Sequence, residues 1–139
     1  MTFNSAFRYK NWDLGFALRA SIGNYVYNNV RSNRTDYNNT YSNGAFSNLV
    51  KADNYFMMPQ YFSDYFVRNA SFLRCDNITL GYTWDNLLHE KLKLRLFGGV
   101  QNPFVITKYN GIDPEVAGGI DNNVYPRAIT YSLGLVATF

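Results

Sequence analysis

Four cations, Arg8, Arg19, Lys93 and Arg95, fall on the polar side of segments whose residues alternate between apolar and polar. A row of guanidinium and ammonium groups along one wall attracts anionic groups of a substrate. The same row pairs equally well with carboxylates on adjoining strands or on a neighbouring domain. Asp113, Glu115 and Asp121 share one loop and could offer oxygen ligands to calcium. Their spacing follows no EF-hand pattern, and the intervening Gly118-Gly119 points to turn chemistry instead. Cys75, the single cysteine, reads as a small packed side chain rather than a nucleophile. His89, the single histidine, lies beside Glu90 and Lys91 with no acid–base partner in view, and reads as solvated surface. One Cys and one His exclude an internal disulfide and an ordinary zinc site. The sequence holds no Gly-rich phosphate loop, no convincing Ser–His–Asp set and no inward carboxylate pair. The expectation is a chain with no catalytic residue, no cofactor and no resident metal.

Composition narrows the class further. Aromatic residues make up 18% of the chain and charged residues only 17%, which excludes a disordered, charge-solvated tail. A net charge of +3 lacks the dense basic footprint of a nucleic-acid binder. No apolar run approaches the roughly 18 residues of a transmembrane helix, and the first residues lack the apolar stretch of a signal peptide. At 139 residues the chain reads as a single unit, 1–139, without a linker or internal boundary.

Alternation of period two recurs in five segments, and these must carry the cations. In 2–10, Phe3, Phe7 and Tyr9 oppose Asn4, Arg8 and Lys10; in 13–27, Leu14, Phe16, Leu18, Ala20 and Ile22 oppose Asp13, Gly15, Arg19 and Ser21. In 77–84, Ile78, Leu80, Tyr82 and Trp84 oppose Asn77, Thr79, Gly81 and Thr83; in 92–101, Leu92, Leu94, Leu96 and Val100 oppose Lys93, Arg95, Gly99 and Gln101. The last run, 129–139, sets Ile129, Tyr131, Leu133, Leu135, Ala137 and Phe139 against Thr130, Ser132, Gly134 and Thr138. One apolar face per strand predicts an all-β, antiparallel, up-and-down arrangement. Upstream of Asn77, strict alternation would put Arg74 and Asp76 on the face of Ile78. Either a bulge shifts the phase there or that part of the strand stands clear of the apolar layer.

Connections alternate short and long: around Lys10-Asn11-Trp12, then 28–65, then 85–91, then about 108–127. Short turns at one end and long polar loops at the other are the layout of an outer-membrane barrel. Tyr9, Trp12, Tyr82 and Trp84 lie at or next to the short turns, where an interfacial aromatic girdle belongs. Phe139 closes an alternating apolar strand and resembles the C-terminal signal by which such barrels are recognised for insertion.

Several segments together resemble the C-terminal end of the SusC/RagA family of TonB-dependent outer-membrane transporters of Bacteroidetes. They are Phe7-Arg8-Tyr9-Lys10-Asn11-Trp12-Asp13-Leu14, the stretch from Ser63-Asp64-Tyr65-Phe66 through Phe72-Leu73-Arg74, and Asn77-Ile78-Thr79-Leu80-Gly81-Tyr82-Thr83. Further on come Gln101-Asn102-Pro103-Phe104, Thr107-Lys108-Tyr109, Gly111-Ile112-Asp113-Pro114-Glu115-Val116, Gly118-Gly119-Ile120-Asp121 and Tyr125-Pro126-Arg127. Last is Tyr131-Ser132-Leu133-Gly134-Leu135 with the terminal Phe139. The resemblance implies a nutrient importer of glycans or peptides with a large plugged barrel of about 22 strands. It also implies power from the TonB complex, a SusD-like surface lipoprotein over the barrel, and a location in the bacterial outer membrane. By resemblance, Phe139 and the short turns face the periplasm and the two long loops face outside. About five strands cannot close a barrel, because the smallest membrane barrels have about eight. Open edges in lipid would leave backbone groups unpaired at several kcal/mol each. The chain is therefore expected to be the C-terminal piece of a larger transporter, completed by plug and further strands and bordered by lipid.

The sequons at Asn33, Asn38, Asn69 and Asn77 carry no weight beside a bacterial resemblance, and Asn77 falls inside a predicted strand. The Tyr and Asn density of the long loops suits sugar stacking or packing against a lipoprotein equally well. The rival reading is a soluble β-sheet carbohydrate-binding module, which needs at least two more strands inside 28–65.

Overall fold

A computed structural model describes residues 1–35, 56–87 and 92–138. In chain order its described strands are β1 (Thr2–Tyr9), β2 (Trp12–Ser21), β3 (Tyr25–Asn28), β4 (Val67–Asn69), β5 (Phe72–Leu87), β6 (Leu92–Thr107), β7 (Ile120–Asp121) and β8 (Thr130–Thr138), together with a short α-helix, α1 (Asn29–Ser32), and two single-turn 3-10 helices (Asp64–Phe66 and Ala117–Gly119). These elements belong to two units: Met1–Ser21 with Phe72–Thr107 and Arg127–Phe139, and Ile22–Ser71 with Lys108–Pro126.

The first unit is a five-stranded sheet in the order β1-β2-β5-β6-β8, with every neighbouring pair antiparallel. β1 and β2 meet in a tight hairpin that Lys10 makes possible by taking the left-handed region at φ 52°. Asn11 ties that hairpin to β5, donating from Nδ2 to the Thr83 carbonyl at 2.6 Å and accepting from the Thr83 N–H at 2.9 Å. Cross-strand register sorts the side chains into lines. One apolar line runs Phe7, Leu14, Leu80, Gly98, Leu133 across the sheet. The next line, on the opposite face, runs Arg8, Asp13, Gly81, Phe97, Gly134. Alternation in sequence thus becomes two chemically distinct faces.

The phase break upstream of Asn77 is a bulge. Ala17 pairs with Asn77 but Leu18 pairs with Cys75, so Asp76 is the extra residue. β6 compensates at Asn102, which takes φ 51° where Gln101 pairs with Asn77 and Phe104 with Cys75. The bulge returns Cys75 and Leu73 to the apolar side, opposite Leu18 and Ala20, and places Arg74 opposite Arg19.

Segment 13–27 departs from the expected single strand. β2 ends at Ser21, Gly23 turns at φ 80°, and Tyr25–Asn28 becomes β3 of a different sheet. Glycine enters the left-handed region without a Cβ penalty, so the alternation on either side of it belongs to two strands. The long connections also carry structure of their own. In the second unit β4, β3 and β7 form a three-stranded sheet, with β3–β4 antiparallel and β3–β7 parallel. Val26, Ala70 and Tyr109 make its buried cluster, with Val116 packed against it. Phe66 is fully buried under Tyr27, whose ring meets it edge-on at 6.3 Å. Asn28 caps α1 by accepting the Arg31 N–H at 2.8 Å. Asn38, His89 and Phe139 lie outside the described residues.

Candidate functional site: the charged face of the sheet

The polar face brings three of the four sequence-selected cations onto carboxylates of the same sheet. Arg95 on β6 grips Asp13 on β2 with both arms, Nε to Oδ1 at 3.1 Å and Nη2 to Oδ2 at 2.6 Å. Arg19 on β2 holds Asp76 at the β5 bulge in the same way, at 3.1 and 3.0 Å. Lys93 reaches Asp85 at 2.9 Å, with both side chains more than half exposed. Planar bidentate pairs fix geometry as well as charge, whereas an exposed lysine pair is screened and contributes little. Arg8 sits opposite Asp13 in register and makes no ion pair among the described residues. Arg95 also lies over the Phe97 ring, 5.1 Å from its centroid.

Position alone explains how Asp13 and Arg95 meet. β2 and β6 are both neighbours of β5 but not of each other. The residue between them in the line is Gly81, where a Cβ would stand 2.5 Å from Asp13 Oδ1. Sequence reading selected the cations but missed Asp13, Asp76 and Gly81 as their partners. Polarity placed Asp13 and Gly81 on the right face; register across three strands, which pairs them, is written nowhere in a local pattern. Arg74 was missed as a polar-face residue for the same reason. It is buried, 3% exposed, with its guanidinium 5.7 Å from the Phe72 ring centroid.

The opposite face is apolar and bare. Phe7 is 58% exposed, Tyr131 76%, Leu133 80% and Leu135 61%. At the hairpin end of this face Trp12 meets Tyr82 edge-on at 4.8 Å, and Tyr82 meets Trp84 at 4.7 Å. A contiguous exposed apolar surface of this kind marks contact with lipid or with another apolar surface.

In the second unit the loop carboxylates act on their own backbone. Asp121, 3% exposed, accepts the Tyr109 hydroxyl at 2.7 Å through Oδ2 and the Asn123 N–H at 3.0 Å through Oδ1. Asp113 accepts the Glu115 N–H at 2.9 Å. These are turn-closing bonds of the Asx type. Burial, reinforced by the bond to Asp121, pushes the Tyr109 phenol well above the usual tyrosine range. No cluster of three or more metal-ligating side chains occurs among the described residues.

No protein-family model matches the chain. The chain is 48% identical along its whole length to TonB-dependent receptor SusC of Bacteroides thetaiotaomicron, of which it spans 15%. It is 26% identical along its whole length to TonB-dependent receptor P3 of Formosa agariphila, spanning 16% of that protein. Among solved structures, the RagAB peptide transporter superposes on 93% of this chain and 16% of the transporter chain, with TM-score 0.73 and 24% identity. The RagAB peptide importer in its open-open state gives TM-score 0.74 at 22% identity over 96% of this chain and 16% of that chain. The fold is therefore that of a stretch of those chains. A sheet with one charged and one bare apolar face, matched end to end at 48% identity, makes this chain similar to a short stretch of the TonB-dependent receptor SusC.

Proposed function

We propose that this chain is the C-terminal part of the barrel wall of an outer-membrane, TonB-dependent importer of glycans or peptides, working with a SusD-like surface lipoprotein. The observation that carries the reading is the apolar face, whose Leu133 is 80% and Leu135 61% exposed. Water makes such a face unfavourable by about 25 cal/mol for each Å² of apolar surface, and a bilayer removes that cost. The charged face then lines the lumen, where Arg8, Arg19, Lys93 and Arg95 meet plug or substrate. Arg8, without an ion pair among the described residues, is the first of the four to test for substrate contact. Loops 28–65 and 108–127 face outward, and Phe139 serves as the insertion signal.

The test is fractionation of cells that carry the sequence, immunoblotted with an antibody against 28–65. The expected band lies in the outer membrane at roughly 100 kDa, as follows if these 16.0 kDa are 15% of the whole. A soluble 16.0 kDa band would overturn the reading in favour of a free β-sheet module.

A further inference from the structure

A cavity of about 360 Å³ opens within the second unit, between residues 28–34 and the loop that carries β7. Asn28, Arg31 and Arg34 line it from the first segment, and Asn110, Asp121 and Asn123 from the second. Register and side-chain bonds hold the two walls together. Asn28 pairs with Asp121 where β3 runs parallel to β7, and it also fixes the start of α1 through the Arg31 N–H at 2.8 Å. Asn29 donates to Asn122 from one segment to the other at 2.5 Å. Gly111 belongs to the lining as well. A Cβ there would run into the Tyr109 ring and stand 2.7 Å from Asp121 Oδ2, so glycine lets the Tyr109–Asp121 bond form.

The chemistry of the lining favours an acceptor. A guanidinium offers N–H donors and no acceptor, and its planar fork matches the two oxygens of a carboxylate. Arg34 makes no ion pair among the described residues. Asp121 is the one carboxylate in the lining, and both its oxygens are engaged, Oδ2 by the Tyr109 hydroxyl and Oδ1 by the Asn123 N–H. Two cations against one anion leave a single positive charge, which a monoanion balances. Among the described residues no aromatic ring lines the cavity, so a neutral sugar has no stacking platform there. We propose that this cavity receives the carboxylate-bearing residue of an imported ligand, the C-terminal residue of a peptide or a uronic acid of a glycan, with Arg31 and Arg34 as its anion-binding side. Its volume is near the lower end of small-ligand sites, about 300–1,000 Å³, which suits one residue rather than a chain. The proposal rests on the importer reading above and adds the chemical class of group that the outward loops take.

The test uses the full-length transporter purified from outer membranes in mild detergent. Two pairs of probes are titrated: a mixed tripeptide pool with free C-termini against the same pool amidated, and a pool of uronic-acid oligosaccharides against its methyl esters. In one pair the acid should bind about tenfold more tightly than its neutral form, as a charge-assisted bond implies, and which pair does so identifies the source of the carboxylate. Arg34→Gln should abolish that preference. Arg68→Gln, which removes a cation from β4 on the other side of β3, should leave it unchanged. An outer-membrane protein that binds acid and neutral forms alike in both pairs would overturn the cavity's role and leave the importer reading standing. A preference that survives Arg34→Gln, or that Arg68→Gln removes equally, would overturn the assignment to this cavity. Recovery of the protein in the soluble fraction would overturn the importer reading, and the proposal with it.

Discussion

Asp13 and Arg95 form a bidentate ion pair across a strand to which neither belongs. Their atoms meet at 3.1 and 2.6 Å over Gly81, the β5 residue that lies between their strands in the sheet. The pair ties β2, β5 and β6 together on the polar face of the sheet, independently of the backbone ladder. Arg95 is 39% exposed at its side chain, so the pair is partly screened and contributes little by itself. Its geometry depends more on the absent Gly81 side chain than on either charge.

Gly81→Val should therefore be more harmful than Asp13→Asn. The new branched side chain would occupy the space of the carboxylate and force both partners aside, at about 1–3 kcal/mol. Heat-modifiability of the full-length barrel on gels would report this as a lower unfolding temperature for Gly81→Val. A Gly81→Val barrel as stable as the wild type would show that the pair does not need the gap.

At the bulge, Asp76 pairs with Arg19, which faces a second cation, Arg74, in register. Asp76→Ala should cost about 1 kcal/mol, because the bidentate bond to Arg19 is lost while Arg19 still faces Arg74 in register. Arg19→Gln in that background should restore part of the loss. Asp85→Ala, which removes the partner of an exposed lysine, should change stability by less than about 0.5 kcal/mol. Denaturant unfolding of the reconstituted barrel measures all three variants; equal losses at Asp76 and Asp85 would refute the bulge argument.

Leu133 and Ser132 are adjacent but point to opposite faces. Leu133→Arg should impair assembly strongly, since a cation facing the bilayer midplane costs about 2–4 kcal/mol. Ser132→Arg, on the polar face, should be tolerated far better. Equal effects on the folded fraction would mean that the two faces are reversed.

Phe139 is tested by deletion in the full-length protein. Loss of the terminal aromatic should lower the amount of protein in the outer membrane while its synthesis is unchanged. An undiminished outer-membrane level would sink the insertion-signal assignment.

The Tyr109–Asp121 bond makes a prediction about alkaline pH. The folded phenol has its pKa raised above the unfolded value near 10, chiefly by burial. Its stabilisation is therefore complete below about pH 10 and is lost as pH rises towards the folded pKa. Tyr109→Phe should be less stable than wild type at pH 8, because Asp121 loses a donor. The difference should narrow above pH 10, where only the wild type carries the penalty. Proteolysis of the outer loops in intact protein reads this, and a gap constant from pH 8 to 11 would contradict the assignment.

Much of the larger sheet was legible in the chain itself. Alternation around Leu14, Leu80, Leu96 and Leu133 is a local property, because successive side chains of a strand point to opposite faces. The polar side of Arg8, Arg19, Lys93 and Arg95 was readable for the same reason, and the break at Arg74 and Asp76 offered a bulge as one of two readings, which the register decides. The resemblance to the SusC/RagA family was readable too, through motifs such as Phe7 to Leu14 and Gly111 to Val116. Three-dimensional structure alone decided which carboxylate each cation meets. Asp13 and Arg95 are 82 residues apart, and their meeting depends on strand order, register and the bulge together. No local pattern encodes those. Tertiary structure likewise divided segment 13–27 between two sheets at Gly23, and revealed that Asp121 closes its own loop under Tyr109.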